Sequence, residues 1–129
     1  MESRQRPLIL IADDNEDNRE LYVSYLRMNG FRVVKARDGA EAIAIARSRR
    51  PAVVVLDLHM PRVDGLKAAR LIRRDTTIGR MPILVLTADD THLQEALDAG
   101  ANAVCLKPYA PDALVSQIEE MLSVGARFE

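Results

Sequence analysis

The stretch Leu8-Ile9-Leu10-Ile11-Ala12-Asp13-Asp14-Asn15 decides the architecture. Five successive apolar residues make a strand's length, too few for a buried helix, and they break off at an acidic pair. No polar residue alternates with them, so both faces of this strand must be covered, as in a parallel sheet. Working outward, short apolar runs rich in β-branched residues repeat the signal at 31–34, 53–56, 83–86 and 103–106.

Between these runs the apolar positions change to helical spacing. Within 16–29, Leu21, Tyr22, Tyr25 and Leu26 are expected on one face. Asp38-x-x-Glu41 reads as a capping box ahead of Ala42, Ile43 and Ala46. Leu66, Ala69 and Ile72 mark a third helix, and Leu93, Ala96 and Leu97 a fourth. Pro111 suits the first turn of a fifth, with Leu114, Val115, Ile118, Met121 and Leu122 as its buried stripe. Gly30 and Gly100 stand where left-handed helix ends are expected. Strands alternating with helices predict an α/β fold: a doubly wound, open five-stranded parallel sheet with five helices on its two faces. Arg32 and Lys35 make the second strand an edge, and the flavodoxin-like strand order 2-1-3-4-5 is expected.

The 129 residues fit one domain, 1–129, with a core over about 8–122, short flexible ends and a fraying tail from 123. With 48% hydrophobic residues the chain can build a core, which excludes extensive disorder. No apolar run exceeds five residues, against the roughly 20 of a membrane helix. The N-terminus reaches Asp13-Asp14 too soon to hold a secretory apolar segment. The lone Cys105 points to a reducing compartment, so a cytoplasmic location is expected. A net charge of -1 supplies no general attraction to nucleic acid or anionic membrane, and neither is an expected partner. Arg47, Arg49, Arg50, Arg70, Arg73 and Arg74 lie toward helix C-termini without interleaved aromatics, which reads as a solvated basic face.

In a doubly wound sheet the ligand site lies beyond the carboxyl ends of the strands. The polar residues that follow the strands are Asp13 and Asp14, Asp57, Thr87 and Lys107. Singly each has a bland reading as turn former, helix cap or solvated charge. Together they bring three carboxylates, a hydroxyl and an ammonium to one edge. Carboxylates held this close ionise together only beside cations, and a hard divalent ion with oxygen ligands meets that need. Neither a Ser-His-Asp nor a Cys-His set is available for acyl transfer. Carboxylate, divalent metal, Lys and Thr describe phosphoryl chemistry.

With these residues in hand, the chain resembles a response-regulator receiver domain, the chemotaxis-regulator type of two-component signalling. The resemblance spans 8–122 and rests on Asp13-Asp14, the segment Asp57-Leu58-His59-Met60-Pro61-Arg62-Val63-Asp64-Gly65, Thr87-Ala88 and Lys107-Pro108. It implies that Asp57 is the phosphoacceptor, a nucleophile that forms an acyl phosphate. It implies that Mg²⁺, with Mn²⁺ as a substitute, is held by Asp14, Asp57 and the backbone carbonyl of His59, and by Asp13 through water. Thr87 and Lys107 would hold phosphoryl oxygens, and the Lys107–Pro108 bond would be cis. His59 and Asp89 fall at variable positions that modulate phosphoryl lifetime; the alternatives are a solvated loop histidine and a cap for the fourth helix. Ala88 belongs to the switching loop. Val104 departs from the pattern, since many receivers carry a rotating Tyr or Phe there. Tyr109 follows Pro108 and is not its equivalent.

The resemblance further implies a phosphorelay module that signals through protein contacts and is not an enzyme on outside substrates. Its donor would be a histidine kinase or phosphotransfer protein. The fourth helix, fifth strand and fifth helix would receive a downstream protein or a second copy. The alternatives are a receiver excised from a larger regulator or hybrid kinase, and a small Mg²⁺-dependent aspartyl phosphohydrolase.

Overall fold

A computed structural model describes residues 6–60, 63–88, 90–107 and 110–127, with side chains to Ser123. The elements alternate as β1 (Leu8–Ala12), α1 (Glu16–Met28), β2 (Arg32–Ala36), α2 (Gly39–Arg49), β3 (Val53–Asp57), α3 (Gly65–Arg74), β4 (Ile83–Thr87), a 3-10 turn (Asp90–His92), α4 (Leu93–Asp98), β5 (Ala103–Leu106) and α5 (Pro111–Arg127). All strand pairs are parallel, in the order β2-β1-β3-β4-β5. This is the doubly wound arrangement expected from the five apolar runs.

Every residue of β1, β3 and β4 is buried, and the period-two alternation of a strand divides them between two cores. Leu10, Val54, Leu56, Ile83 and Val85 meet Ala42, Ala46, Ala69 and Ile72 on one face. Ile9, Ile11, Val53, Val55, Leu84 and Leu86 meet Val23, Leu26, Leu114 and Ile118 on the other. The alanines of α2 and α3 let those helices lie close to the sheet. Arg32 and Lys35 are exposed on the edge strand β2. Among the described residues no helix is long and apolar enough to cross a membrane.

Helix caps follow the local sequence. Asn15, Asp38 and Asp64 each accept a hydrogen bond from the backbone N–H three residues on, at 2.9, 2.8 and 2.8 Å. The box at Asp38 closes differently from the standard form, because Glu41 accepts from the N–H of Arg37, one residue earlier. Gly30 and Gly100 take φ of 91° and 114°, as their positions suggested.

Several expectations need correction. β2 begins at Arg32 and reaches Ala36, with Phe31 buried just before it. Leu21 is 52% and Leu97 47% exposed. In α1 the buried face is Tyr22, Val23 and Leu26, rotated away from Leu21. α4 has six residues, of which Ala96 is buried and Leu93 half-buried. α2 ends on Arg50 at φ 48°, a left-handed position with no glycine to announce it. α5 runs to Arg127.

Arg73 is the main departure from the solvated basic face. Half-buried, it donates to the carbonyls of Gly79, Met81 and Gly100 at 3.1, 2.6 and 3.0 Å and to Asn102 Oδ1 at 2.7 Å. It therefore ties the end of α3 to the segments that enter β4 and β5. Arg47 pairs with Asp75 at 2.7 Å, while Arg49, Arg50, Arg70 and Arg74 are exposed.

Candidate functional site

The strand ladders deliver the polar residues to one edge. Ala12 aligns with Leu56, Asp57 with Leu86, and Thr87 with Leu106. Backbone bonds continue the ladders one step beyond the strands: Asp13 N–H to Ala36, Leu58 N–H to Leu86 and Lys107 N–H to Thr87, at 3.1, 2.8 and 2.7 Å. Asp13, Asp57, Thr87 and Lys107 are thus anchored by main chain. Gly65 matters for the same reason, since a Cβ there would lie 2.4 Å from the Asp57 carbonyl oxygen. Only glycine lets the start of α3 sit this close to the end of β3.

Asp13, Asp57 and Thr87 are buried; Asp14 is exposed. One carboxylate oxygen from each of Asp13, Asp14 and Asp57 lies within 4.8 Å of the others. Lys107 Nζ stands 3.2 Å from Asp57 and 3.4 Å from Asp13, and Asp13 also accepts from Asn15 N–H at 2.9 Å. Among the described residues no buried side-chain nitrogen or oxygen lacks a partner.

One ammonium does not balance this set. Burial, then the charge of Asp13, push the Asp57 carboxyl up to about 6, and the attraction of Lys107 offsets only part of this. Burial alone would lower Lys107, but the Asp57 and Asp13 charges outweigh it and hold its pKa above the usual value. A crowded, oxygen-only donor set with unneutralised negative charge suits a hard divalent cation.

The remaining predicted residues are dispersed around this cluster. His59 is exposed, and its ring lies 5.9 Å from that of His92, a contact that their distant positions in the chain do not reveal. Val104 is half-buried against the core on the α3 side and aligns with Val85. Ala88 and Lys107 line an open groove of about 500 Å³ with Asn18, Leu21, Tyr22, Ala110 and Pro111. Sequence reasoning did not find this groove, because it forms only where α1 meets the start of α5. Asp89, Pro108 and Tyr109, and with them the expected cis bond, lie outside the described residues.

Comparison with known proteins matches residues 9–119 to the response regulator receiver domain family. Response regulator MprA of Mycolicibacterium vanbaalenii is 42% identical over 116 residues, covering 88% of this chain and 49% of that protein. The chain thus spans about half the length of the curated relatives it matches. The receiver domain of a sensor histidine kinase from Pseudomonas aeruginosa PAO1, solved with a magnesium ion coordinated in its active site cleft, is 30% identical with a TM-score of 0.85, over 92% of this chain and 98% of that one. Chemotaxis protein CheY4 of Vibrio cholerae is 29% identical with a TM-score of 0.84, over 90% and 98% of the respective chains.

Proposed function

This chain belongs to the response regulator receiver domain family, and on that premise we propose that it is a phosphorylation switch whose phosphoacceptor is Asp57. The observation that carries the reading is the buried Asp57 carboxylate at the end of β3, held 3.2 Å from Lys107 within a cluster of three carboxylates. An Asp57 oxygen attacks the phosphorus of a phosphohistidine on a histidine kinase or phosphotransfer protein. The O–P bond forms as the P–N bond breaks, and the imidazole leaves with a proton. Water later attacks the same phosphorus, releasing inorganic phosphate and restoring the carboxylate. Asp14, Asp57 and the His59 backbone carbonyl, with Asp13 through water, would hold Mg²⁺ or Mn²⁺, which would supply charge neutralisation for the phosphoryl oxygens. Lys107 pairs with carboxylates beforehand and with a phosphoryl oxygen afterwards, while Thr87 donates its hydroxyl to another. All of this chemistry is on the chain itself.

The phosphoryl group draws Thr87 inward, and Ala88 and the turn before α4 follow. Val104 is too short and too restricted in χ1 to act as a rotating switch, so the change travels through that loop and α4. The α4–β5–α5 surface then receives a downstream protein or a second copy. Leu97 on α4 and Leu106 on β5, 47% and 45% exposed, support this choice. We read the exposed arginines as solvated charge without nucleic-acid contact, and place the protein in the cytoplasm. Because the relatives are about twice as long, a second reading has this chain as the receiver of a larger regulator. Residues 1–129 then form a single receiver domain within it.

Acetyl phosphate with Mg²⁺, followed by intact mass, tests the assignment. One phosphoryl adduct is expected, absent in Asp57→Asn; an unchanged adduct in that variant would refute it. Lys107→Ala should still take the group but lose the activation-dependent change in partner binding or self-association. Structures with and without beryllofluoride should differ at Ala88 and α4. An unmoved loop with Tyr109 swung toward Thr87 would refute the proposed route.

A further inference from the structure

The chain's two histidines meet between the loop after β3 and the head of α4. His59 follows Asp57 by two residues on the loop into α3, and His92 ends the 3-10 turn at the head of α4. Their ring centroids are 5.9 Å apart and their planes lie 79° from each other, an edge-to-face contact. His92 Nδ1 is 2.7 Å from Glu95 Oε1. A carboxylate can only accept, so Nδ1 donates, and the bond fixes both the tautomer and the tilt of the ring. His92 occupies the N-cap position of α4 yet makes no side-chain capping bond there. Its ring meets that of His59 edge to face.

The contact bridges the β3–α3 loop, two residues beyond Asp57, and the start of α4. We propose that His92, oriented by Glu95, is a positioning residue for the phosphoryl chemistry: it holds the His59 ring as a wall that restricts water's approach to phosphorylated Asp57. The inference rests on Asp57 being the phosphoacceptor. An edge-to-face contact biases a ring toward one position by roughly two- to tenfold, and hydrolysis is expected to respond over the same range.

The test loads the protein with acetyl phosphate and Mg²⁺, removes the donor, and follows loss of the adduct by intact mass. His92→Ala should shorten the adduct's half-life by about two- to tenfold. His92→Phe, which keeps an aromatic edge, should restore most of it, and Glu95→Gln should fall between the two. In a His59→Ala background, which retains the backbone carbonyl, His92→Ala should have no further effect. A parental half-life in His92→Ala would overturn the inference. So would the same shortening without His59, or a failure of Phe to rescue, since either places the effect in α4 itself. If the parent takes no adduct on Asp57, the phosphoacceptor reading falls too. An adduct whose lifetime ignores His92 removes this inference alone.

Discussion

At the carboxyl end of the sheet three carboxylates crowd one ammonium, whereas at the amino ends of β4 and β5 one guanidinium is surrounded by four oxygens. Both ends bury charge, and burial is costly at both. At Arg73 the acceptors are neutral carbonyls and an amide, each aimed at a nitrogen, so the charge is solvated by the fold. Around Asp57 the neighbours are partly of like sign, and the fold holds the carboxyl at a pKa of about 6. One end consolidates the structure, and the other carries an imbalance that a cation and a phosphoryl group can relieve.

The largest effect on stability is expected at the amino end. Arg73→Met should lower unfolding free energy by about 2–4 kcal/mol, because four oxygens lose a charged donor. Arg73→Lys should recover only part, since an ammonium cannot reproduce the fork. Urea titration with an unchanged slope measures both, and a parental midpoint for Arg73→Met would break the contrast.

At the carboxyl end the sign reverses. The folded-state pKa of Asp57, about 6, lies above its ordinary 3.8. The fold therefore favours the protonated form, and this contribution is fully present below about pH 4 and lost as pH rises through 6. Without divalent metal, Asp57→Asn should be more stable than the parent at pH 7.5 by about 1–3 kcal/mol, and the gap should close near pH 4. Parallel urea titrations in chelator at the two pH values would show it; a variant weaker than the parent at pH 7.5 refutes the imbalance. Added Mg²⁺ should raise the melting temperature of the parent and leave Asp57→Asn nearly unmoved.

The smallest effect sharpens the comparison within a single edge. Asp38 is also a buried carboxylate, but it accepts the Glu41 N–H at a helix N-terminus. Asp38→Ala should therefore destabilise, by about 1 kcal/mol. The same residue type at the same end of the sheet would then give opposite signs, decided by what faces the charge. Equal signs for Asp38 and Asp57 in one set of melts would argue against that cause.

The candidate site was legible because a parallel sheet brings whatever follows its strands to one edge. Asp13, Asp14, Asp57, Thr87 and Lys107 needed only their positions after apolar runs to be grouped. Arg73 was misread because its sequence neighbours, Arg70 and Arg74, are exposed, and nothing local tells which arginine turns inward. Leu21 and Leu97 were placed in buried stripes on spacing alone, yet the rotation of a helix is set by its packing partners. His59 was read only as a loop position beside Asp57, and its contact with His92 depends on where α4 starts.

Local chemistry was enough to determine the five strands, the cap at Asp38, the left-handed glycines and the identity of the residues at the carboxyl edge. These follow from periodicity, side-chain capping and chain direction, which act over a few residues. The tertiary structure alone decided the net charge balance around Asp57, the half-burial of Arg73, the exposed leucines on α4 and β5 and the ring contact at the head of α4. Each depends on distances between segments far apart in the chain, and on the desolvation those distances impose.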